Sequence, residues 1–445
     1  MLGPNYQRPA VQTPSVYRHL ADSQPPTEDA SFADLPWWQI FQDPELQKLI
    51  RIALEENFDL QLATERIGAA RAQLAITRSS LFPQLQADGD FAGGKDPITR
   101  TQYNIATTTA DAAFQLDLFG RLRRATEASR AQLLATSDAQ KTVIMTLVSD
   151  VASDYFQLLA LDLQLRITQD TVTTQQESVK LTHFRLDHGV ATKLDVLQAQ
   201  QVLDTATAHI PDLERQIGQE EDAISTLLGH YPETVPRGQP LGQQPIPPEV
   251  PAGLPSSLLE RRPDVLQAEQ ALVAANAEIG VAKAAFFPQI SLSGSVGGAF
   301  GRSSILSGLM SSHTPVWSYG AQVSQPIFTG GALSGNLRLA ESQHRLQLVA
   351  YRQAIQLAFQ DVSDALIGYQ KSHEVRLAQE ITVSDLRETV DTSLSRYRGG
   401  ITTYLEVLDG QRSLFDAELA LAQARGNEYR SLVSLYKALG GGWKS

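Results

Sequence analysis

Two long segments of the chain carry apolar residues at seven-residue intervals. In the first segment the repeated positions are Ile144, Val151, Leu158, Leu165, Val172, Val179 and Leu186. The second segment keeps the same phase 211 residues later, with Arg376 as its polar exception. Because a sustained heptad repeat produces left-handed supercoiled packing, we predict long helices over residues 121–186 and 333–397. Each heptad stripe is narrow and has wide polar flanks, which suits the wall of a hollow barrel better than a solid bundle.

Two other segments alternate apolar and polar residues with a period of two, as strands with two different faces do. The segment 113–118 places Phe114, Leu116 and Leu118 on one face and Gln115 and Asp117 on the other. We predict β-hairpins over residues 82–119 and 288–330. A strand with lipid on one side and water on the other needs one apolar face and one polar face. A strand of an ordinary amphipathic sheet in a soluble domain has the same alternation. Four strands are too few to close a barrel, which takes about eight, so a membrane-spanning sheet requires several copies of the chain.

The chain is an internal duplication. Residues 81–85 read Leu-Phe-Pro-Gln-Leu, and residues 286–290 read Phe-Phe-Pro-Gln-Ile. Each copy contains a helix, two strands, a very long helix, a turn and a last helix. We place the first repeat at 43–231 and the second at 256–445, after an extended strap over residues 1–42. Between the repeats, the linker 232–255 is rich in proline, which predicts an extended, non-helical path.

The remaining predicted boundaries follow helix-capping and turn residues. In the first repeat Asp43 is the expected N-cap, with Pro44 at the first helical position. The other predicted segments are the tip 187–192 and helix 193–229 in the first repeat, and helix 264–285, tip 398–403 and helix 404–439 in the second. We expect Pro211 to bend or break the helix 193–229.

Composition excludes several classes of function. The chain has 445 residues, 42% of them apolar, and we find no run of about 20 apolar residues that predicts a membrane-spanning helix. It contains no cysteine, which excludes disulfides and thiolate sites, and its net charge of -12 argues against nucleic-acid binding. The neighbouring histidines His183 and His188 are five apart, a poor spacing for metal ligands on a helix. We identify no nucleophile with a base, and so predict neither an enzyme nor a metal site.

Several short motifs occur in order along nearly the whole chain. They are Pro-Asn-Tyr-Gln-Arg-Pro at 4–9, Trp-Trp at 37–38, the two Phe-Pro-Gln strand starts, Phe-Gly at 119–120, Leu-Glu-Arg-Arg-Pro-Asp at 259–264 and Phe-Thr-Gly at 328–330. Together they resemble the TolC-like family of outer-membrane efflux channels, in its lipoprotein branch. The resemblance implies an α+β fold and an elongated homotrimer, with a shared 12-stranded antiparallel transmembrane β-barrel and a 12-helix periplasmic α-barrel.

The same resemblance implies a function and partners. The protein is expected to be the passive exit duct of a tripartite pump in the bacterial outer membrane, working with a periplasmic adaptor and an inner-membrane transporter. Lipoprotein members carry a lipid on a cysteine directly before the Pro-x-Tyr-x-x-Pro run. We therefore expect a lipid-bearing cysteine just before Met1 in the native precursor, and no other cofactor.

Candidate site residues lie at the two tips. Glu406 and Asp409 are three apart and share a helical face; such a pair also occurs on ordinary solvated helices. By the resemblance these carboxylates ring the closed aperture, and Tyr397 and Asp195 tether the inner helices. From its spacing, Arg412 lies one helical turn beyond Asp409 and is placed to pair with it. The residues expected to contact the adaptor are Arg185, Gly189, Val190, Thr192, Arg396, Gly400, Ile401 and Thr402, where Thr402 replaces the family's tip arginine.

Three arginines next to a predicted strand allow two interpretations. Arg121, Arg123 and Arg124 directly follow a predicted strand, so they either contact lipid phosphates or form an ordinary basic helix start.

The alternative function is a coiled-coil scaffold or adaptor of the cell envelope, which has long helices but no lipid-facing strands. Solubility without detergent would favour the scaffold, and detergent-dependent trimers would favour the duct.

Overall fold

The structure is a computed structural model that describes residues 1–11, 14, 18, 35–95, 97, 102–245, 258–301 and 314–443. Most of the predicted strap, the far ends of both hairpins and the second half of the proline-rich linker lie outside these residues. The chain divides into two compact units. The sheet unit contains residues 1–11, 65–138 and 267–354, and the helical unit contains residues 12–64, 139–266 and 355–445.

A short helix, α1 (Trp37–Ile40), lies at the end of the predicted strap. The described part of the first repeat has four helices: α2 (Pro44–Glu56), α3 (Phe58–Ser79), α4 (Arg121–Asp187) and α5 (Lys193–Leu228). Asp43 is the N-cap of α2, as predicted, because its carboxylate accepts hydrogen bonds from the backbone N–H groups of Glu45 and Leu46. The long helix α4 ends within one residue of its predicted end, because Gly189 supplies a left-handed turn directly after it.

In the second repeat, residues 258–301 and 314–443 contain four helices: α6 (Leu258–Arg261), α7 (Pro263–Ala284), α8 (Ala332–Arg398) and α9 (Tyr404–Ala438). The helices α4 and α8 are both 67 residues long. Their first residues, Arg121 and Ala332, are separated by the 211 residues that separate the repeated motifs in the sequence. The duplication therefore holds at the level of backbone structure.

Pro211, which was expected to bend or break its helix, does not break it. α5 continues from Lys193 to Leu228 with Pro211 inside it. Proline removes the hydrogen bond to the carbonyl of Thr207 four residues earlier. Thr207 and Pro211 are both exposed, so water is able to satisfy that carbonyl and the helix is not interrupted.

The sheet contains four strands in sequence order, β1 (Gln84–Lys95), β2 (Gln102–Leu116), β3 (Gln289–Gly301) and β4 (Thr314–Ser324). All neighbouring strands are antiparallel. The central pair, β2 and β3, joins the two repeats, with Phe114 opposite Leu292. Within the described sheet, β1 and β4 are its two edges.

The register separates an apolar face from a polar face across all four strands. Large side chains of the apolar face are exposed, Leu85 by 80% and Tyr319 by 83%. The register sets Gln86 opposite Asp111, Asp111 opposite Ser295, and Ser295 opposite Ser318 on the other face. A sheet with one exposed apolar face fits the contact with lipid expected from the alternation.

The predicted strand end is wrong by two residues. β2 stops at Leu116, so Leu118 does not continue its apolar face. The Asp117 carboxylate accepts hydrogen bonds from the backbone N–H groups of Leu122 (3.1 Å) and Arg123 (2.9 Å). This carboxylate satisfies free N–H groups in the first turn of α4, so Asp117 is part of a helix start and not of a polar strand face.

The arginines after β2 have partners inside the sheet unit. Arg123 pairs with Asp117 at 3.1 Å. The Arg124 side chain is almost fully buried, donates to the carbonyl of Leu2 (3.2 Å) and the side chain of Asn5 (2.7 Å), and pairs with Glu127. Arg124 therefore fastens the N-terminal segment to α4, and the suggestion that it contacts lipid phosphates is wrong for this residue.

One described helix, α4, is long and apolar enough in composition to cross a membrane. Most of its apolar window is buried inside the protein, as in the core helix of a soluble domain, so the helix is weak evidence for a membrane span. The core of the helical unit includes Tyr155 and Tyr436, both almost fully buried.

Candidate gate and docking tips

The two tips have the same backbone geometry. After α4, the N–H of Val190 donates to the carbonyl of Arg185, and the N–H of Gly189 donates to Leu186. After α8, Ile401 donates to Arg396 and Gly400 donates to Tyr397 in the same pattern. Gly189 and Gly400 both have φ of 72°, the left-handed conformation that glycine adopts without strain. Each tip is thus a glycine-dependent helix end that reverses the chain.

Behind the tips lies a small buried cluster in the helical unit. It contains Ala199, Tyr397, Tyr404 and Val407, with the two tyrosine rings 5.2 Å apart. The guanidinium of Arg185 stacks on the ring of Tyr397 at 4.4 Å, which is a cation–π contact. Arg185, predicted as an adaptor-contacting residue, therefore also holds α4 against α8 inside the chain.

The Tyr397 hydroxyl is buried and accepts or donates no hydrogen bond among the residues that the structure describes. Burial raises the pKa of Tyr397, the charge of Arg185 opposes that rise, and Asp195 adds to it. The hydroxyl is therefore neutral at physiological pH. A neutral buried hydroxyl that has no partner among the described residues of its chain is able to bond a group from another copy.

Asp195 and Thr192 have local roles that their prediction did not include. The Asp195 carboxylate accepts from the backbone N–H of Thr192 at 2.7 Å and from its hydroxyl at 2.9 Å. In return, the N–H of Asp195 donates to the Thr192 hydroxyl at 3.2 Å. This reciprocal capping box fixes the start of α5. Asp195 therefore stabilises the tip, and the tether expected of it stays a prediction.

The predicted gate carboxylates lie together. Glu406 and Asp409 are both exposed and line one groove between α8 and α9. The groove is also lined by Asp385, Glu388 and Arg396. Arg396 reaches Glu406 at 3.9 Å, a long pair between two half-exposed side chains, which contributes little to stability. The groove therefore holds an excess of negative charge next to the second tip.

Arg412 does not pair with Asp409, contrary to the suggestion from their spacing. Arg412 is exposed, and within the described part of the chain it forms no ion pair. It is also absent from the residues lining the acidic groove. Side chains three residues apart on a helix lie near each other. An ion pair between two exposed side chains, however, contributes too little free energy to fix both in one rotamer.

Apolar side chains project from both tips. Val190 and Leu194 are exposed at the first tip, and Ile401 and Leu405 are exposed at the second. The two pairs are related by the 211-residue repeat. Thr402, between the glycine turn and α9, is partly exposed. Exposed apolar side chains at equivalent positions of two tips are typical of a surface that binds another protein.

Sequence reasoning missed a set of ion pairs that joins α8 to α9. The buried Glu428 carboxylate lies 2.5 Å from Arg376 and 2.7 Å from His373. Further along the two helices, Arg425 pairs with Glu380, and Arg387 pairs with Glu418. Arg376 interrupts the heptad repeat of α8, and that exception was the signal in the sequence that a buried acidic partner faces it.

Known proteins resemble the whole chain. The profile of the family described as outer membrane efflux protein matches residues 49–230 and 254–441. The cation efflux system protein CusC of Escherichia coli O157:H7 is 36% identical over 446 residues, covering 100% of this chain and 96% of that protein. The solvent efflux pump outer membrane protein SrpC of Pseudomonas putida is 38% identical, covering 91% of this chain and 87% of that protein.

A solved structure gives the same result for the fold. The open state of the MtrE outer membrane channel of Neisseria gonorrhoeae superimposes with a TM-score of 0.89 at 33% identity. The match covers 100% of this chain and 98% of that one. The similarity thus includes both the sheet and the long helices.

Proposed function

The chain belongs to the outer membrane efflux protein family, and from that premise we propose that its helical tips form the gate of the duct. The protein is the exit duct of a tripartite efflux pump, located in the bacterial outer membrane and extending into the periplasm. Its fold is that of the trimeric channels of this family, in which three copies share a β-barrel and an α-barrel. We also propose that the duct is passive and performs no chemistry.

The observation that supports a gate at the tip is the acidic groove. Glu406 and Asp409 are exposed side by side, and Asp385 and Glu388 add to their charge. In a three-fold assembly each carboxylate is repeated about the axis. A ring of carboxylates attracts cations and repels anions, as in other cation-selective constrictions. The buried Tyr397 hydroxyl is available to tether one copy to the next while the gate is closed.

Ion selectivity in planar bilayers tests this assignment. We expect the double variant Glu406→Gln/Asp409→Asn to shift the reversal potential under a salt gradient toward weaker cation preference, because the ring loses its charge. Asp391→Asn is the matched control, since Asp391 is exposed on α8 but does not line the groove. An unchanged reversal potential in the double variant, or an equal shift in the control, would show that the gate lies elsewhere.

We further propose that the exposed apolar pairs at the two tips contact the periplasmic adaptor. Their repetition at both tips supplies two similar docking points per chain. Val190→Asp or Ile401→Asp is expected to abolish co-purification with the adaptor of the same pump while conductance is kept. Tyr231→Asp is the control, because Tyr231 is 93% exposed but far along the chain from both tips. Equal loss in the control would refute docking at the tips.

A lipid anchor before Met1 is also proposed. The N–H of Leu2 donates to the carbonyl of Phe119 at 3.1 Å, where β2 passes into α4. The N-terminal segment therefore starts beside the end of a membrane strand, where an attached acyl chain reaches the bilayer. Mass spectrometry of the protein from its native membrane is expected to find an acylated cysteine before Met1. A native N-terminus without an acyl group would contradict this.

A further inference from the structure

In each repeat the last helix ends against the break between two helices near the start of that repeat. α5 ends beside the break between α2 and α3, and α9 ends beside the break between α6 and α7. We call these contacts the first joint and the second joint, and both lie within the helical unit. The first joint consists of Glu56, Asn57, Leu227, Gly229, His230 and Glu233, and the second of Arg262, Asp264, Asp361, Ala438 and Gly440.

The two joints have the same backbone arrangement. The N–H of Gly229 donates to the carbonyl of Thr226, and 211 residues later the N–H of Gly440 donates to the carbonyl of Lys437. The φ angle is 81° at Gly229 and 83° at Gly440, so a left-handed glycine ends the last helix in both joints. A Cβ on Gly229 would collide with the backbone of Glu56. The helix end and the helix break are therefore in direct backbone contact.

One side chain in each break bonds a carbonyl at the helix end. The Asn57 amide donates to the carbonyl of Leu227 at 2.9 Å, and the Arg262 guanidinium donates to the carbonyl of Ala438 at 3.3 Å. Leu227 and Ala438 are equivalent positions of the two repeats. Carbonyl groups in the last turn of a helix have no donor within the helix. The internal duplication therefore includes this joint as well as the helices.

The second joint is held by a charge that does not depend on pH. Arg262 is buried and pairs with Asp264 at 2.7 Å and with Asp361 at 2.8 Å. An arginine side chain stays protonated in proteins. The ion pairs of this joint therefore persist as long as the two aspartates are ionised.

The first joint is held by a histidine between two carboxylates. The Nδ1 atom of His230 lies 2.6 Å from Glu233 in the linker, and its Nε2 atom lies 3.1 Å from Glu56 at the end of α2. Glu221, the acidic residue of α5 that also contacts the linker, is paired with Arg237. Glu56 and Glu233 are therefore the charged groups that act on the imidazole most strongly.

Protonation decides how many bonds His230 forms. An imidazolium donates from both ring nitrogens, whereas a neutral imidazole has a single N–H. Loss of the proton therefore removes one of the two hydrogen bonds and turns a nitrogen lone pair toward a carboxylate. The hydrogen bond to Glu233 and then the one to Glu56 raise the pKa of His230, against a small effect of burial.

We propose that the first joint is a pH-dependent clasp, which protonated His230 closes and which weakens when that proton is lost. The second joint keeps its strength over the same pH range. The contribution of His230 to stability is complete below the unfolded pKa of histidine, about 6.5. It is lost as the pH rises through the higher folded pKa. The inference does not depend on the position of the gate.

The clasp acts on the start of α3. The Asn57 side chain accepts a hydrogen bond from the N–H of Leu60 at 3.0 Å, and so caps this helix while it holds the end of α5. Weakening of the His230 bonds is therefore expected to increase local opening at both helix ends without unfolding the rest of the unit.

Hydrogen exchange with mass spectrometry tests the clasp on the full chain in detergent, at about pH 6 and about pH 9. Exposure times are scaled for the chemical pH dependence of exchange. All chains compared carry Glu220→Gln, because burial raises the pKa of Glu220, also on α5, to about 7. In this parent chain the peptides that contain residues 57–61 and 229–233 are expected to lose roughly threefold in protection at the higher pH, as the loss of an exposed ion pair implies.

Two variants and two controls accompany the parent chain. His230→Gln is expected to show the lower protection at both pH values, and Glu233→Gln a smaller difference between them. His183→Gln is the matched control, because His183 is exposed on α4 in the same unit, and it should behave like the parent. The peptides 262–266 and 436–440 of the second joint are the internal control and should keep their protection.

Three results would overturn the proposal. The first is a parent chain whose first joint is equally protected at both pH values. The second is an equal loss of protection in the second joint, which would indicate a general effect of pH. The third is an undiminished pH difference at the first joint in His230→Gln, which would mean that another group titrates there.

Discussion

At the residue scale, the tip glycines show how a single backbone angle positions a functional surface. Gly400 has φ of 72°, and a Cβ placed on it would meet nothing within 4 Å. Its requirement for glycine is therefore conformational and not steric. The neighbouring Gly399 does not have a positive φ and packs near Ile401. Glycine at the end of a heptad segment predicted this turn from the sequence, because few other residues adopt a left-handed helix end.

We predict that Gly400→Ala lowers the free energy of unfolding by about 1 kcal/mol. Gly400→Asn is expected to lower it less, since asparagine tolerates the left-handed region. Chemical denaturation in detergent measures both values. Gly399→Ala is the control and should be close to neutral; an equal loss at Gly399 would mean that space and not φ limits this turn.

Asp43 was predicted as a helix cap, but its larger role depends on residues distant in sequence. Its buried carboxylate also accepts hydrogen bonds from the hydroxyl of Tyr155 (3.0 Å), the N–H of Gln239 (3.0 Å) and the amide of Gln244 (2.5 Å). It thereby fixes the start of the proline-rich linker against α2 and α4. No local pattern reveals a contact over some 200 residues, so only the cap was predictable.

Asp43→Ala is expected to lower the free energy of unfolding by about 3–5 kcal/mol, because it leaves several buried donors without an acceptor. Asp59→Ala makes the same chemical change in the first turn of α3, where the side chain is exposed, and should cost less than about 1 kcal/mol. Similar losses in the two variants would refute the role of Asp43 as a buried acceptor.

At the element scale, the sequence predicted the bounds of α4 and α8 almost to the residue. The seven-residue repeat, the glycines after each helix and the absence of proline within it all indicate the same bounds. The end of β2 was not predictable in the same way. Asp117 continues the alternation of the strand in sequence, yet the free N–H groups of α4 bind its carboxylate more favourably than solvent does. Hydrogen bonding between the start of a helix and the last residues of a strand depends on the folded structure, so the alternation of apolar and polar residues does not reveal it.

One half-buried carboxyl group on α5 gives the helical unit a pH dependence. Burial raises the pKa of Glu220 to about 7. The charge of Asp154 adds to this rise, and the charge of Arg430 opposes it. The folded state therefore binds this proton more tightly than the unfolded state does. Its contribution to stability is present below the unfolded pKa of Glu and is lost as the pH rises toward 7.

We predict that Glu220→Gln raises the melting temperature by roughly 2 °C at pH 8 and leaves it unchanged at pH 4. Glutamine keeps the shape of the side chain and removes the charge that burial penalises. Glu214→Gln, on the exposed side of α5, is the control and should show no difference between the two pH values. The same shift at both pH values in Glu220→Gln would contradict the assignment.

At the scale of the whole molecule, a single chain leaves surfaces of its sheet without a partner. Its described sheet has two open edges, and the apolar face of that sheet is exposed. The alternation of apolar and polar residues predicted the two faces of the sheet from the sequence. Spacing did not predict the capping contacts of Asp195, and the proposed ring of carboxylates requires contacts between copies that a single chain does not contain. A soluble scaffold would not expose an apolar sheet face of this kind.

The most direct test of the central claim is native mass spectrometry of the unmodified chain, purified from the outer membrane in detergent. We predict that the protein is extracted only with detergent and that the dominant species contains three chains, because neither sheet edge of a lone chain has a partner in lipid. A monomeric species that stays in solution without detergent would contradict it.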